Sequence, residues 1–348
     1  MPQYFKYHNE FQLESGRIFP EFQLGFTTLG KLNAAKDNVI WITHALTANS
    51  NPEEWWNGLV GKGKFFNPEN HFIICVNVLG SPYGSTNPLS VNPLTGNKYY
   101  HNFPELTIRD LVNGFELLRK HLGITKIHTL LGGSLGGQQA VEWAIQQPEV
   151  VENLFLVATN AQHSPWGIAF NESQRLAIKA DRTWFSYSDD AGIKGLKAAR
   201  AIALLSYRNY QTYQISQEDL EEKTDGFNAS SYQNYQGEKL VNRFNAFSYW
   251  YLSKAMDSHN VGRNRGGIVQ ALNLIKAKTL IVAISSDVLF PVSESETLHQ
   301  NIKNSEFEII DSLYGHDGFL IETEQLKNIF ENFYITKKLK KEIYEYAN

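Results

Sequence analysis

The stretch Ile127-His128-Thr129-Leu130-Leu131-Gly132-Gly133-Ser134-Leu135-Gly136-Gly137, followed by an amphipathic run over 138–146, decides how this chain folds. An apolar run ends in glycines around a serine and then opens a helical pattern. That spells strand, sharp turn, helix, with Ser134 at the apex. A serine hydroxyl is a weak nucleophile unless it stands clear of its neighbours and meets a base. A tight strand-to-helix turn lifts the oxygen above the sheet, and glycine alone fits where the two backbones nearly touch. The backbone N–H of Leu135, at the helix start, then points to where negative charge develops on an attacked carbonyl.

Outward from this stretch, β-rich runs at 22–28, 39–43, 72–78, 127–131, 154–158, 279–284 and 307–310 read as strands. Several are apolar almost throughout, as central strands covered on both faces are. Between them Thr107 is placed to cap a helix over 108–121, and a second helix over 138–146 stops near Pro148. The alternation predicts an α/β fold with a mostly parallel sheet flanked by helices. The rhythm breaks from His163 to Asn264, where helical patterns such as 193–205 and 238–256 dominate and tyrosines concentrate. A helical insertion between two strands of such a sheet lies over its carboxyl edge, where sites form. The expected organisation is a core domain of residues 1–162 and 265–348 with an inserted helical lid, 163–264. The lid tyrosines serve either the site or the packing of an extra helical layer.

With 348 residues, 42% apolar and 20% charged, the composition is that of an ordinary globular protein. A net charge of −4 gives no general attraction to nucleic acid or anionic lipid. The single cysteine, Cys75, lies in an apolar run and reads as core filling in a reducing compartment. The first residues show no basic-then-apolar signal, and no apolar run approaches the roughly 20 residues that span a bilayer. A cytoplasmic protein is expected. Lys337, Lys338, Lys340 and Lys341 read as a solvated helix face. The histidines show no metal-ligand spacing, and the glycines around Ser134 lack the context of a dinucleotide-binding motif, so no metal and no bound cofactor are expected.

A serine nucleophile needs a base, and the base needs an orienting carboxylate. Asp287 follows the strand at 279–284, and His316 follows the last strand, 307–310, in Tyr314-Gly315-His316-Asp317. Both lie at the sheet edge where Ser134 stands. The order Ser134, Asp287, His316 is that of α/β-hydrolases. The second oxyanion donor is expected in Thr43-His44-Ala45-Leu46-Thr47-Ala48, from the N–H of Leu46, paired with that of Leu135. His44 precedes that loop and reads as structural.

The string Gly132 to Ala144 closely resembles the nucleophile segment of the homoserine O-acetyltransferase family. So do His44-Ala45-Leu46-Thr47, Trp55-Trp56-Asn57-Gly58-Leu59-Val60-Gly61, Asn77-Val78-Leu79-Gly80, Asn171-Glu172-Ser173-Gln174-Arg175 and Ser286-Asp287-Val288-Leu289-Phe290-Pro291. The resemblance runs from about Leu13 to Glu322, and it is more specific than the serine motif because a generic hydrolase does not require the tryptophan-rich string. It implies an α/β-hydrolase fold with a helical lid and acyl transfer from acetyl-CoA to the hydroxyl of L-homoserine by a ping-pong cycle through acyl-Ser134, in methionine biosynthesis. It further implies that Arg175 holds the amino acid's carboxylate, that Asp317 contacts its ammonium group, and that a homodimer forms through the lid helices. A buried Arg–Asp structural pair is the competing reading of the first two. The chain departs from the family at Leu135, where methionine is commonest, and at Ala48 and Asn87, where glycine is usual. The last two are expected to flank the acyl pocket, which leaves open succinyl transfer, a serine acceptor or simple ester hydrolysis. A non-catalytic binding protein of the same fold is the reading from another class.

Overall fold

The computed structural model describes residues 2–346, the last of them, 336–346, by backbone alone. The lysine cluster at 337–341 therefore lies outside the described side chains. The strands are β1 (Gln3–Tyr7), β2 (Phe11–Gln12), β3 (Ile18–Phe19), β4 (Phe22–Leu29), β5 (Val39–Thr43), β6 (Phe72–Val76), β7 (Ile127–Gly133), β8 (Val151–Val157), β9 (Lys278–Ile284) and β10 (Ser305–Ile310). All but β2 and β3 form one eight-stranded sheet in the order β1-β4-β6-β5-β7-β8-β9-β10. From β6 to β10 every pairing is parallel, and β4 joins antiparallel to β1 and β6.

The central strands are buried on both faces because alternate residues feed two different cores. Val39 and Trp41 of β5 pack on one side with α2 (Ile108–His121) and α3 (Leu135–Gln146). Ile40 and Ile42 pack on the other with Trp56, Phe66, Phe319 and Phe330. Such strands carry no alternation of polar and apolar residues, which is why they read as continuous apolar runs. Cys75 is fully buried in the second core. Thr107 caps α2 through a capping box with Asp110, satisfying N-terminal amides that the helix leaves unbonded.

Several boundaries differ from the sequence reading. The strand expected over 72–78 is β6 and stops at Val76: Asn77 N still donates to Gly25 O of β4 at 2.8 Å, but Val78 N turns to His44 Nε2 at 3.1 Å. The expected helix over 238–256 is two helices. Asn245 breaks it by accepting from Ser248 N at 2.7 Å, and Phe244 turns into the core. Strand β1 was not expected. Only Phe5 of its five residues is buried, so it carries almost no pattern.

The remaining helices are α1 (Pro52–Trp55), α4 (Pro165–Ala180), α5 (Ile193–Tyr207), α6 (Tyr210–Gln217), α7 (Asn228–Val241), α8 (Ala246–Asp257), α9 (Ile268–Leu272), α10 (Val292–Asn301), α11 (Gly318–Ile321) and α12 (Thr323–Tyr346). Helices α4 to α8 form the insertion between β8 and β9. Its two ends are pinned side by side: Gln162 bridges Asn260 antiparallel, and His163 N donates to His259 O at 3.0 Å. Among the described residues no helix is long and apolar enough to cross a membrane.

The imidazoles of His163 and His259 at this junction are both buried. Burial pushes His163 down to about 4 and His259 to about 3, and His44 beneath the site is likewise lowered to about 4. Each folded value lies below the unfolded one, near 6.5. As pH falls through that unfolded value, the unfolded chain takes up protons that the folded chain refuses. The stability these groups contribute is therefore full above about pH 6.5 and lost progressively towards their folded values. Thermal unfolding should show a Tm that falls steadily from pH 6.5 to 4. A Tm unchanged down to pH 5 would mean these imidazoles are not buried neutral.

Candidate active site

Strand β7 and helix α3 meet so closely that no side chain fits between them. A Cβ on Gly132 would strike the carbonyl of Gly136, and one on Gly136 would strike the carbonyl of Thr43. Ser134 is forced to φ 57° and ψ −128°, a conformation that side-chain-bearing residues rarely adopt. The strain is held by bonds on both sides: Ser134 N donates to Val157 O at 3.1 Å, and Thr159 Oγ1 donates to Ser134 O at 2.9 Å. Helix α3 consequently begins at Leu135, one turn earlier than the periodicity suggests.

The structure brings the three expected residues together. Ser134 Oγ lies 2.8 Å from His316 Nε2, and His316 Nδ1 lies 2.6 Å from Asp287 Oδ2. The other carboxylate oxygen of Asp287 accepts from the amides of Leu289 and Phe290 at 2.8 and 2.9 Å, which fixes the carboxylate plane. With Asp287 accepting, Nδ1 carries the ring proton and Nε2 is free to take the proton of the serine hydroxyl. His316 is held among Phe290, Phe319 and Tyr207, whose ring centroids lie 5.1, 5.3 and 5.8 Å away. All three triad residues are buried.

A cleft of about 570 Å³ opens on Ser134. Leu46 lines it, and its N–H and that of Leu135 donate to no other group among the described residues. Two such amides beside a nucleophile are suited to an oxyanion. His44 stands behind the loop, accepting from the Val78 amide as a structural group. Ala48 also lines the cleft. Asn87 does not: its side chain closes a turn, bonding Leu89 N and Ser85 O at 2.9 Å each.

The charges in the cleft differ from those expected. Asp317 lines it, but Arg175 does not. The guanidinium of Arg175 is buried inside the insertion, bonded to Glu172, Asp257 and Ser253, and it ties α4 to α8. A buried arginine with two carboxylate partners is already neutralised and is no receptor for a third. Three cations line the cleft, Lys239 of α7, Arg200 of α5 and Arg243, with Glu54 as a second carboxylate; of these cations Arg200 is the one whose charge acts on Asp317 beside the base. Arg200 lies 5.3 Å over the Tyr207 ring and makes no ion pair among the described residues. Burial pushes the Asp317 carboxyl up, while Arg208 at 3.2 Å, Arg200 and His316 pull it back. The signal for Arg200 was its seven-residue spacing from Tyr207, which puts both on one helix face. Of the lid tyrosines, only Tyr207 reaches this cleft beside Arg200. Tyr187, Tyr210 and Tyr235 are exposed.

Residues 38–323 match the model of the alpha/beta hydrolase fold family. Among curated proteins, homoserine O-acetyltransferase of Cyclobacterium marinum is 54% identical over 93% of this chain and 92% of its own length. That of Chlorobaculum tepidum is 44% identical over 95% and 94%. Among solved structures, homoserine O-acetyltransferase from Bacillus anthracis superimposes with a TM-score of 0.86 at 27% identity, covering 94% of this chain and 95% of that one. Esterase E22 does so with 0.87 at 26%, covering 96% and 99%. The chain belongs to the homoserine O-acetyltransferase family of α/β-hydrolase-fold enzymes.

The strain at Ser134 separates two substitutions that both delete the hydroxyl. Ser134→Gly removes it and relieves the positive φ, whereas Ser134→Ala removes it and keeps the strain. The glycine variant should unfold at a higher temperature than the alanine variant, by about 1 kcal/mol or more of stability. Equal midpoints would show that the turn stores no strain.

Proposed function

We propose that this protein transfers the acetyl group of acetyl-CoA to the hydroxyl of L-homoserine, through an acetyl-Ser134 intermediate, as a step of methionine biosynthesis in the cytoplasm. The observation that carries this reading is the shared cleft: Ser134 with its base, Leu46, and the charged pair Arg200 and Asp317 line one cavity, with Glu54, Lys239 and Arg243 also in its wall. The relatives that share most of the sequence bear the name of this activity.

Ser134 Oγ attacks the thioester carbonyl while His316 Nε2 takes its proton, and the amides of Leu46 and Leu135 bind the oxyanion. The C–S bond breaks, the thiolate leaves with the proton from His316, and acetyl-Ser134 remains. Homoserine then enters. Arg200 holds its carboxylate in the bidentate geometry a guanidinium allows, and Asp317 receives its ammonium group. His316 takes the hydroxyl proton as that oxygen attacks the acetyl carbonyl. The serine leaves reprotonated, and O-acetylhomoserine is released. No metal or bound cofactor enters the cycle.

Two clamps on the amino acid favour transfer over hydrolysis, because an alcohol held at the acyl carbonyl competes with water through its effective concentration. Ester hydrolysis, the activity named for the structural neighbour esterase E22, is the second reading, favoured by its equally close superposition. The exposed Tyr210, Ile215, Leu220 and Tyr235 on the insertion support the homodimer, since aromatic and aliphatic surface of this kind is suited to burial against a second copy. Sedimentation should give about twice the chain mass, and replacing these residues with serine should return the monomer; a monomeric wild-type protein would end that proposal.

A thiol-release assay with acetyl-CoA or succinyl-CoA, against homoserine, serine or water, tests the chemistry. Release should require acetyl-CoA and homoserine together, and equal release with water would make the protein an esterase. Arg200→Ala should raise the homoserine KM at least tenfold and leave formation of the acetyl-enzyme near the wild-type rate. Arg175→Ala should instead lower Tm and leave that KM within about twofold; the reverse pattern would return the carboxylate to Arg175.

A further inference from the structure

The loop that supplies the Leu46 amide is unevenly anchored. At one end, His44 O accepts from Gln139 Nε2 at 3.3 Å, and at the other, Asn49 O accepts from Trp55 Nε1 at 3.0 Å. Between them Ala45 to Ala48 form a turn closed by Ala48 N donating to Ala45 O at 3.1 Å, with Leu46 and Thr47 at its two central positions. The dihedrals of those two residues set where the Leu46 N–H points. Among the described residues, the Thr47 carbonyl and hydroxyl are held by a single side chain, Arg243, which comes from the insertion.

Arg243 lies between α7 and α8. Its Nη1 donates to Thr47 O and, at 2.7 Å, to Tyr83 Oη; its Nη2 donates to Thr47 Oγ1 at 3.4 Å. Neither end of this strap is loose. The next residue, Phe244, is buried, with its ring edge-on to Tyr83 at 5.8 Å. The carbonyl of Tyr83 accepts from Asn77 Nδ2 at 2.6 Å. Arg243 forms no ion pair among the described residues, so its fork is free for this one task.

We propose that Arg243 is a positioning residue for the oxyanion hole, holding the turn so that the Leu46 amide faces the carbonyl attacked by Ser134. The inference rests on the acyl-serine reading above. It makes the insertion part of the catalytic assembly, since lifting it withdraws the one side chain that holds Thr47. Small displacements of an oxyanion donor are costly, because its strength depends on being in place before charge develops.

The test uses two acetyl donors in single-turnover acylation, acetyl-CoA and p-nitrophenyl acetate, which carries no phosphate. Arg243→Ala should slow acylation by both donors about 10- to 100-fold, with the homoserine KM within about twofold. Arg243→Lys should recover part of the rate with both, because an ammonium reaches Thr47 O but cannot also span to Tyr83. Tyr83→Phe, which keeps the ring and removes one bond, should slow both several-fold, and it carries the test if Arg243→Ala does not fold. An unchanged rate with p-nitrophenyl acetate would overturn the proposal; slowing confined to acetyl-CoA would do so by placing Arg243 on the carrier's phosphates. Ser134→Ala keeps the two readings apart. If it still acquires the acetyl mass, the nucleophile assignment fails, whatever Arg243 does.

Discussion

The near-contact of strand β7 and helix α3 at Ser134 governs the rest of the molecule. Gly132 and Gly136 let the backbones pass, and the same contact reaches a second strand, because the Thr43 carbonyl occupies the place of a Gly136 side chain. Thr43 Oγ1 also donates to Gly136 O at 2.7 Å. The end of β5 is thereby locked to the nucleophile turn. The oxyanion loop leaves from that end, so nucleophile and oxyanion donor share one anchor. A residue larger than glycine at either position would displace both at once, which a polar substitution on the surface could not do.

The sheet edge and the insertion divide the chemistry between them. The chain segments that follow β5, β7, β9 and β10 carry Leu46, Ser134 with Leu135, Asp287 and His316. The insertion brings Arg200 and Tyr207 on α5 and packs against the His316 loop. A Cβ on Gly315 would approach the backbone of Tyr207 and Arg208, and its φ of 59° is one that glycine accommodates. Arg208 reaches Asp317, and the Thr212 hydroxyl reaches the Leu313 carbonyl. The His316 loop is therefore braced by the same part of the insertion that carries Arg200.

The central strands, the nucleophile turn and the order of the triad were legible because each is written in local pattern. Burial on both faces forces apolar runs, the close approach forces glycine, and Asp287 and His316 sit one turn beyond strand ends. The insertion was less legible. Its helices answer to packing within the extra layer: the break at Asn245 joins a local cap on Ser248 N to the burial of Phe244, and Arg175 has one partner, Asp257, that is distant in sequence. Arg175 has Glu172 three positions earlier on the same helix and Asp257 from α8; only the first is visible in the string. Arg200 has no acidic neighbour at helical spacing, which fits a cation left for a ligand. Strand β1 escaped because an edge strand with one buried residue has no periodicity to read.

The fate of an acyl-serine cannot be set by the triad, since esterases of the same fold carry out their chemistry on the same frame. What differs is the competitor that water meets. His316 activates whichever hydroxyl lies beside it, so selectivity must come from groups that hold an alcohol there. Arg200 lines the cleft with no ion pair among the described residues, and its charge acts on Asp317, which directly follows the base. A carboxylate on one and an ammonium on the other would fix both ends of an amino acid's backbone and leave its side-chain hydroxyl as the remaining freedom. Two charged anchors restrict that freedom far more than one. In the proposed reaction the selectivity for the acceptor resides in the distance of this pair from Ser134, a property of how α5 is seated and not of the nucleophile.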